Sequence, residues 1–183
     1  MNKPSPLFLL PLSLLIAALF VGSCTDTGCT DNRSAIPYAG FYILQNGEPK
    51  AVSVDSLEIG GIGAPRDSLL ITASASTSAL YLPFRFEHTS TAFFIHYASR
   101  LLSSPRLNDT ISFTYTSSPR FVSEDCGAMF YYHIDEMTYT RHLIDSIAIT
   151  DSLITNFDTE RIRIFFRADD DDDEGNTREG GQR

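Results

Sequence analysis

Cys24 follows Val21-Gly22-Ser23 at the end of a short apolar run, and those small and branched residues are the ones a lipoprotein signal peptidase accepts before a cysteine. The chemistry would be attachment of two acyl chains through the Cys24 thiol and a third on the new N-terminus, an anchor that holds firmly where a single chain binds only marginally. A plain secretory signal cut near Ser23 is the alternative, with Cys24 left as an ordinary thiol. If lipid consumes Cys24, Cys29 and Cys126 remain as an even pair in an oxidising compartment. A disulfide between them would close a loop of about 100 residues, against the alternative of two buried free thiols. Two isolated cysteines lack the paired spacing of a structural zinc site.

The other reactive side chains are scattered. His88, His96, His133 and His142 have no second His, Cys or carboxylate at selective ligand spacing, so no metal is expected. His133 and Asp135 alternate along one strand face, where the carboxylate could orient the imidazole. No G-x-S-x-G, S-x-x-K or H-E-x-x-H pattern is present, and Lys50 is the only lysine after Lys3. Gly60-Gly61-Ile62-Gly63 lacks the lysine of a phosphate loop and reads as a turn. No catalytic set and no cofactor site emerge. Ser56, Ser68, Thr110, Ser146 and Ser152 each follow an aspartate and precede an apolar residue. That pattern is similar to the acceptor signature of an O-glycosylation system for exported proteins in some Gram-negative bacteria, although Asp-Ser is also good turn chemistry.

Length and charge organise the chain around these groups. Leu7 to Val21 is mainly apolar, and 15 residues at ~1.5 Å each give roughly 22 Å, short of the ~30 Å hydrocarbon core. Residues 1–23 therefore read as a signal peptide, 24–28 as a short lipid tether, 29–167 as one domain and 168–183 as an acidic, disordered tail. The chain carries 14 Lys+Arg against 23 Asp+Glu. Such a surface repels phosphate backbones, which argues against nucleic acid as a partner. Partners reduce to the membrane, through the anchor, and an envelope protein or glycan. Thr25 in place of an Asp after the cysteine points to sorting to the outer membrane.

Within the domain the dominant period is two. Ile111, Phe113 and Tyr115 alternate with Thr110, Ser112 and Thr114, and Arg161 to Phe166 alternates likewise. About nine short strands separated by turns such as Asn46-Gly47, Gly60-Gly61 and Asn108-Asp109 predict an all-β fold, an antiparallel sandwich of immunoglobulin-like or related type, with a small barrel as the alternative. Pro83, inside the alternation of Leu80, Leu82, Phe84 and Phe86, predicts an edge position or bulge. Phe93-Phe94, Phe130-Tyr131-Tyr132 and Phe165-Phe166 place aromatics on both strand faces. The outer ones need a covering segment or a partner.

The stretch Arg120 to Gly127, then Phe130-Tyr131-Tyr132, Tyr139-Thr140-Arg141-His142 and Ile144-Asp145-Ser146-Ile147, resembles a bacterial lipoprotein family catalogued as domain of unknown function 6452. Asp55-Ser56-Leu57, Asp67-Ser68-Leu69-Leu70, Leu80-Tyr81-Leu82-Pro83 and Arg161 to Phe166 fit the same pattern, so the resemblance runs from Cys24 to Phe166. It implies a Gram-negative envelope lipoprotein of β architecture and brings no activity, ligand or catalytic residue. The expected function is a non-enzymatic binding or accessory module on the envelope. The alternative is a small-ligand carrier or enzyme with a pocket in the β domain, near His133 and Asp135.

Overall fold

The computed structural model of the chain describes residues 35–65, 68–73, 76–124 and 126–168. Eleven strands run in chain order: β1 (Tyr38–Gln45), β2 (Glu48–Ala51), β3 (Leu57–Gly61), β4 (Leu69–Ile71), β5 (Ala79–Tyr81), β6 (Ser90–Tyr97), β7 (Asp109–Ser123), β8 (Gly127–Tyr139), β9 (Ile144–Ile149), β10 (Leu153–Ile154) and β11 (Glu160–Phe166). They form two sheets, β2-β1-β11-β9 with β5 also on β1, and β10-β8-β7-β6-β3-β4. The all-β expectation holds, with eleven strands among the described residues against the nine expected, and with β7 and β8 long at 15 and 13 residues. One pair departs from the antiparallel plan, because β1 and β11 run parallel with Phe41 opposite Ile164.

Alternation decides which side chains face inward. Along β6 and β7, Phe93, Ile95, Tyr97, Ile111, Phe113 and Tyr115 are buried while their neighbours are partly or fully exposed. Phe41, Ile162, Ile164 and Phe166 meet them from the other sheet in one contiguous core. The edge strand β2 is exposed throughout, and its Pro49 and Lys50 discourage pairing with another chain.

Two turn expectations separate here. Asn46 and Gly47 take the positive φ values of 54° and 80° that a tight hairpin needs. Gly60 and Gly61, expected as a turn, lie instead within β3, and the bend follows at Ile62-Gly63. Gly60 is required for packing, since a Cβ there would sit 2.7 Å from the Phe94 ring. Pro83 also differs from expectation: β5 stops at Tyr81, and Leu82 to Arg85 run irregularly. The segment still delivers Leu82 and Phe84 to the core, where Phe84 stacks on Tyr115 at 4.3 Å between ring centroids. The Tyr115 hydroxyl fixes this segment, donating to the Arg85 carbonyl and accepting from the Arg85 N–H, both at 3.0 Å.

At the opposite end of β7 a buried carboxylate joins four segments. Asp109 is fully buried. It accepts hydrogen bonds from the Tyr97 hydroxyl at 2.9 Å, the Thr140 hydroxyl at 2.7 Å and the backbone N–H groups of His142, Leu143 and Ile144 at 2.9 to 3.0 Å. Burial pushes its pKa up, but the hydrogen bonds from His142, Thr140, Ile144 and Leu143 outweigh that and hold it below the ordinary value. Burial and the adjacent carboxylate push the Tyr97 phenol up, so it stays a donor. This cluster fixes the corner at which the chain passes from β8 in one sheet to β9 in the other.

Candidate functional site

The open side of the sandwich lies where β4, at the edge of one sheet, faces β5, on the edge of the other. A single bridge, Val54 to Thr77, spans the crossing segments there. A cleft of about 360 Å³ follows this seam, lined by Ile36, Leu70, Ile71, Leu80, Tyr81 and Pro83 among others. A second, of about 180 Å³, shares Leu70 and Pro83 and continues past Ile62, Pro65 and Phe93. A third, of about 340 Å³, shares Ile36 and Pro83 and reaches Phe84, Phe86, Met129 and Phe130. The first two trace an apolar trough; the third, with a lining as polar as it is apolar, opens beside it at Pro83, and Arg85 is the one charged lining residue among the described residues. Apolar lining with few polar groups is the usual character of a binding cleft.

The outer aromatics expected to need a cover are largely covered by the chain itself. Phe94 closes over Gly60, Phe165 packs on Tyr42 at 5.6 Å, and Phe130 stacks on Phe86 at 4.5 Å. Tyr131 is held by its hydroxyl, which donates to Asn156 at 2.6 Å. Phe86 and Asn156 reach Phe130 and Tyr131 from segments outside the β7–β8 pair, whereas Phe94 and Phe165 rest on Gly60 and Tyr42, the residues paired with them in their own sheets.

His133 and Asp135 do come together, on the strand face the alternation predicts. His133 Nδ1 lies 3.1 Å from Asp135 Oδ1, while Thr116 donates to Asp135 at 2.8 Å. The hydrogen bonds from Thr116 and His133 hold the Asp135 carboxyl below its ordinary value. A β-bulge lies at this point: the register slips so that Thr114 faces Glu136 and Tyr115 faces Ile134, leaving Asp135 unmatched. Sequence reasoning missed a third member, because Ser152 is brought in only by β10 pairing with β8. Its Oγ is 3.1 Å from His133 Nε2. The resulting Ser152–His133–Asp135 chain has the connectivity of a nucleophile, base and orienting carboxylate. It sits on open surface, with the His133 side chain 56% exposed, and none of the three clefts is lined by its members.

The remaining predicted positions are dispersed. Cys24 and Cys29 lie outside the described residues. Cys126 is buried beside the β7–β8 turn, its N–H bonded to Ser123 Oγ at 3.0 Å. Ser68 is exposed at the entry to β4. Ser56 has φ of 58° in the turn before β3, and Thr110 and Ser146 are half-buried within strands. Among the described residues no three His, Cys, Asp or Glu side chains are grouped as metal ligands, and no helix is long and apolar enough to cross a membrane.

Fold and clefts thus define a two-sheet β domain with an apolar seam between β4 and β5. The model of the family of unknown function DUF6452 matches residues 56–166, and the chain belongs to that family. The matched region begins later than Cys24, the start of the sequence resemblance. No curated protein and no solved structure matches the chain.

Proposed function

We propose that this protein is a lipoprotein of the cell envelope, anchored to the outer membrane through Cys24 and braced by a Cys29–Cys126 disulfide, acting as a non-enzymatic binding or accessory module. The observation that carries the binding role is the apolar trough between β4 and β5, which suits an apolar segment of an envelope protein better than a polar substrate. The short apolar leader ending in Val21-Gly22-Ser23-Cys24 supports the anchor, and the buried, engaged Cys126 supports the disulfide. Of the serine and threonine positions read as glycan acceptors, Ser68 is the most accessible.

Leu70 lines both clefts of the seam and is 42% exposed, so Leu70→Glu tests the trough without disturbing a buried side chain. Burying an unpaired carboxylate costs several kcal/mol, so the variant should retain at least about tenfold less partner than the parent in a pull-down from solubilised envelopes. Equal recovery by parent and variant contradicts the seam as the binding site.

A hydrolytic reading has one specific observation in its favour, the Ser152–His133–Asp135 chain. An accessory module should give no labelling by a fluorophosphonate probe. Labelling of the parent that disappears in Ser152→Ala would transfer the assignment to a surface hydrolase.

A further inference from the structure

The exposed aromatic side chains are gathered at one end of the domain. Tyr81, Phe86, Phe121 and Phe157 are the large aromatics among the exposed apolar residues, and each belongs to the half of the molecule built around the distal part of the β7–β8 hairpin. Beyond Thr114, which pairs with Ser90, β7 has no further pairing with β6 and continues with β8 as a ribbon. Phe121 is on that ribbon, opposite Ala128, and is 71% exposed. Phe86 stacks on Phe130 of the ribbon, and its carbonyl accepts from Ser117 at 3.1 Å. Phe157 follows Asn156, the partner of Tyr131, and the next residue, Asp158, accepts from the Tyr81 hydroxyl at 2.7 Å. The opposite end carries Asp109 and the loop with Leu101, which is 94% exposed.

The tether bears on the same end. Four residues separate Cys24 from Cys29, so the chain between them spans at most about 18 Å. A disulfide adds ~6 Å between Cα atoms. Cys126, beside the hairpin turn, is then held within about 24 Å of the acylated residue. From Asp109 to Ser123, β7 itself is about 46 Å long at ~3.3 Å per residue. A domain standing on its Asp109 end would need a tether roughly twice as long as the one present. Between the two arrangements the tether permits, lying flat or standing on the hairpin, the aromatic distribution favours the second. Exposed phenylalanines on a surface held at a bilayer bury their apolar rings in the headgroup and acyl boundary.

The geometry points to the hairpin end as a lipid-contacting surface, with Phe86, Phe121 and Phe157 seated in the membrane interface and the Leu101 end directed away. This rests on the anchored reading above. The chain contains no tryptophan, so single replacements report position without background. The full acylated chain carrying Phe121→Trp, Phe157→Trp or Leu101→Trp would be reconstituted into phosphatidylcholine vesicles brominated in their acyl chains and recovered by flotation. The expected result is that the Phe121→Trp and Phe157→Trp proteins lose most of their emission to the bromolipid while the Leu101→Trp protein keeps its own. Protein that floats but shows no quenching at either hairpin-end position, or quenching equal to that of Leu101→Trp, overturns the orientation alone. Protein that fails to float overturns the anchor and the orientation together.

Discussion

Asp109→Ala should lower the unfolding free energy by roughly 3 to 5 kcal/mol, the scale expected when a buried charge network loses its acceptor. The residue is fully buried, and its removal leaves the Tyr97 and Thr140 hydroxyls and three backbone N–H groups without the oxygens they share. For a domain of this size the midpoint of thermal unfolding should fall by roughly 10 °C. Asp109→Asn keeps one acceptor oxygen but turns an amide toward donors, so its loss should be smaller but of the same sign. The pH dependence has a defined direction. The folded-state pKa of Asp109 lies below the ordinary value of 3.8, so the carboxylate contributes its full stability above that value. The contribution is lost as pH falls through the lower, folded-state pKa. The gap between parent and Asp109→Ala should therefore be constant near neutrality and shrink in strong acid. Denaturant melts of both proteins at several pH values measure it. A gap that widens as pH falls would remove Asp109 as the charged centre of this corner.

Cys126→Ser should cost about as much, by a different route. A bridge to Cys29 encloses about 100 residues, for which the chain-entropy account gives ~4 to 5 kcal/mol through the unfolded state. Cys29→Ser should show the same loss, and the double variant no more than either alone, since both remove one bond. The parent should also migrate faster without reductant than with it. Additive losses, or two thiols that alkylate in the unreduced protein, contradict the pairing.

Inward faces were legible in the sequence wherever burial alternates strictly. Ile111, Phe113 and Tyr115 could be assigned because β7 is solvated on its other side. Asn46-Gly47 was legible because only certain residues tolerate both positive φ values. The parallel pairing of β1 with β11 was not, since it joins segments more than a hundred residues apart and leaves no local trace. Asp109 illustrates the same limit. In sequence it belongs to an Asp-Thr-Ile pattern that suggests modification of Thr110, whereas its role comes from backbone donors 33 to 35 residues away. Ser152 likewise reaches His133 only through a two-residue strand, too short to carry a period. The apolar trough was invisible for a related reason: Ile36, Leu70 and Pro83 come from three unconnected segments, and their exposure depends on which strands happen to be edges.

The proposed anchor at Cys24 would set the compartment, the redox state of Cys29 and Cys126 and the distance of the hairpin from the bilayer. Cells grown with radiolabelled palmitate test it most directly. The parent should incorporate label and fractionate with the outer membrane, while Cys24→Ser should carry no label and leave the membrane fraction. An unlabelled parent that fractionates identically to Cys24→Ser would contradict the account.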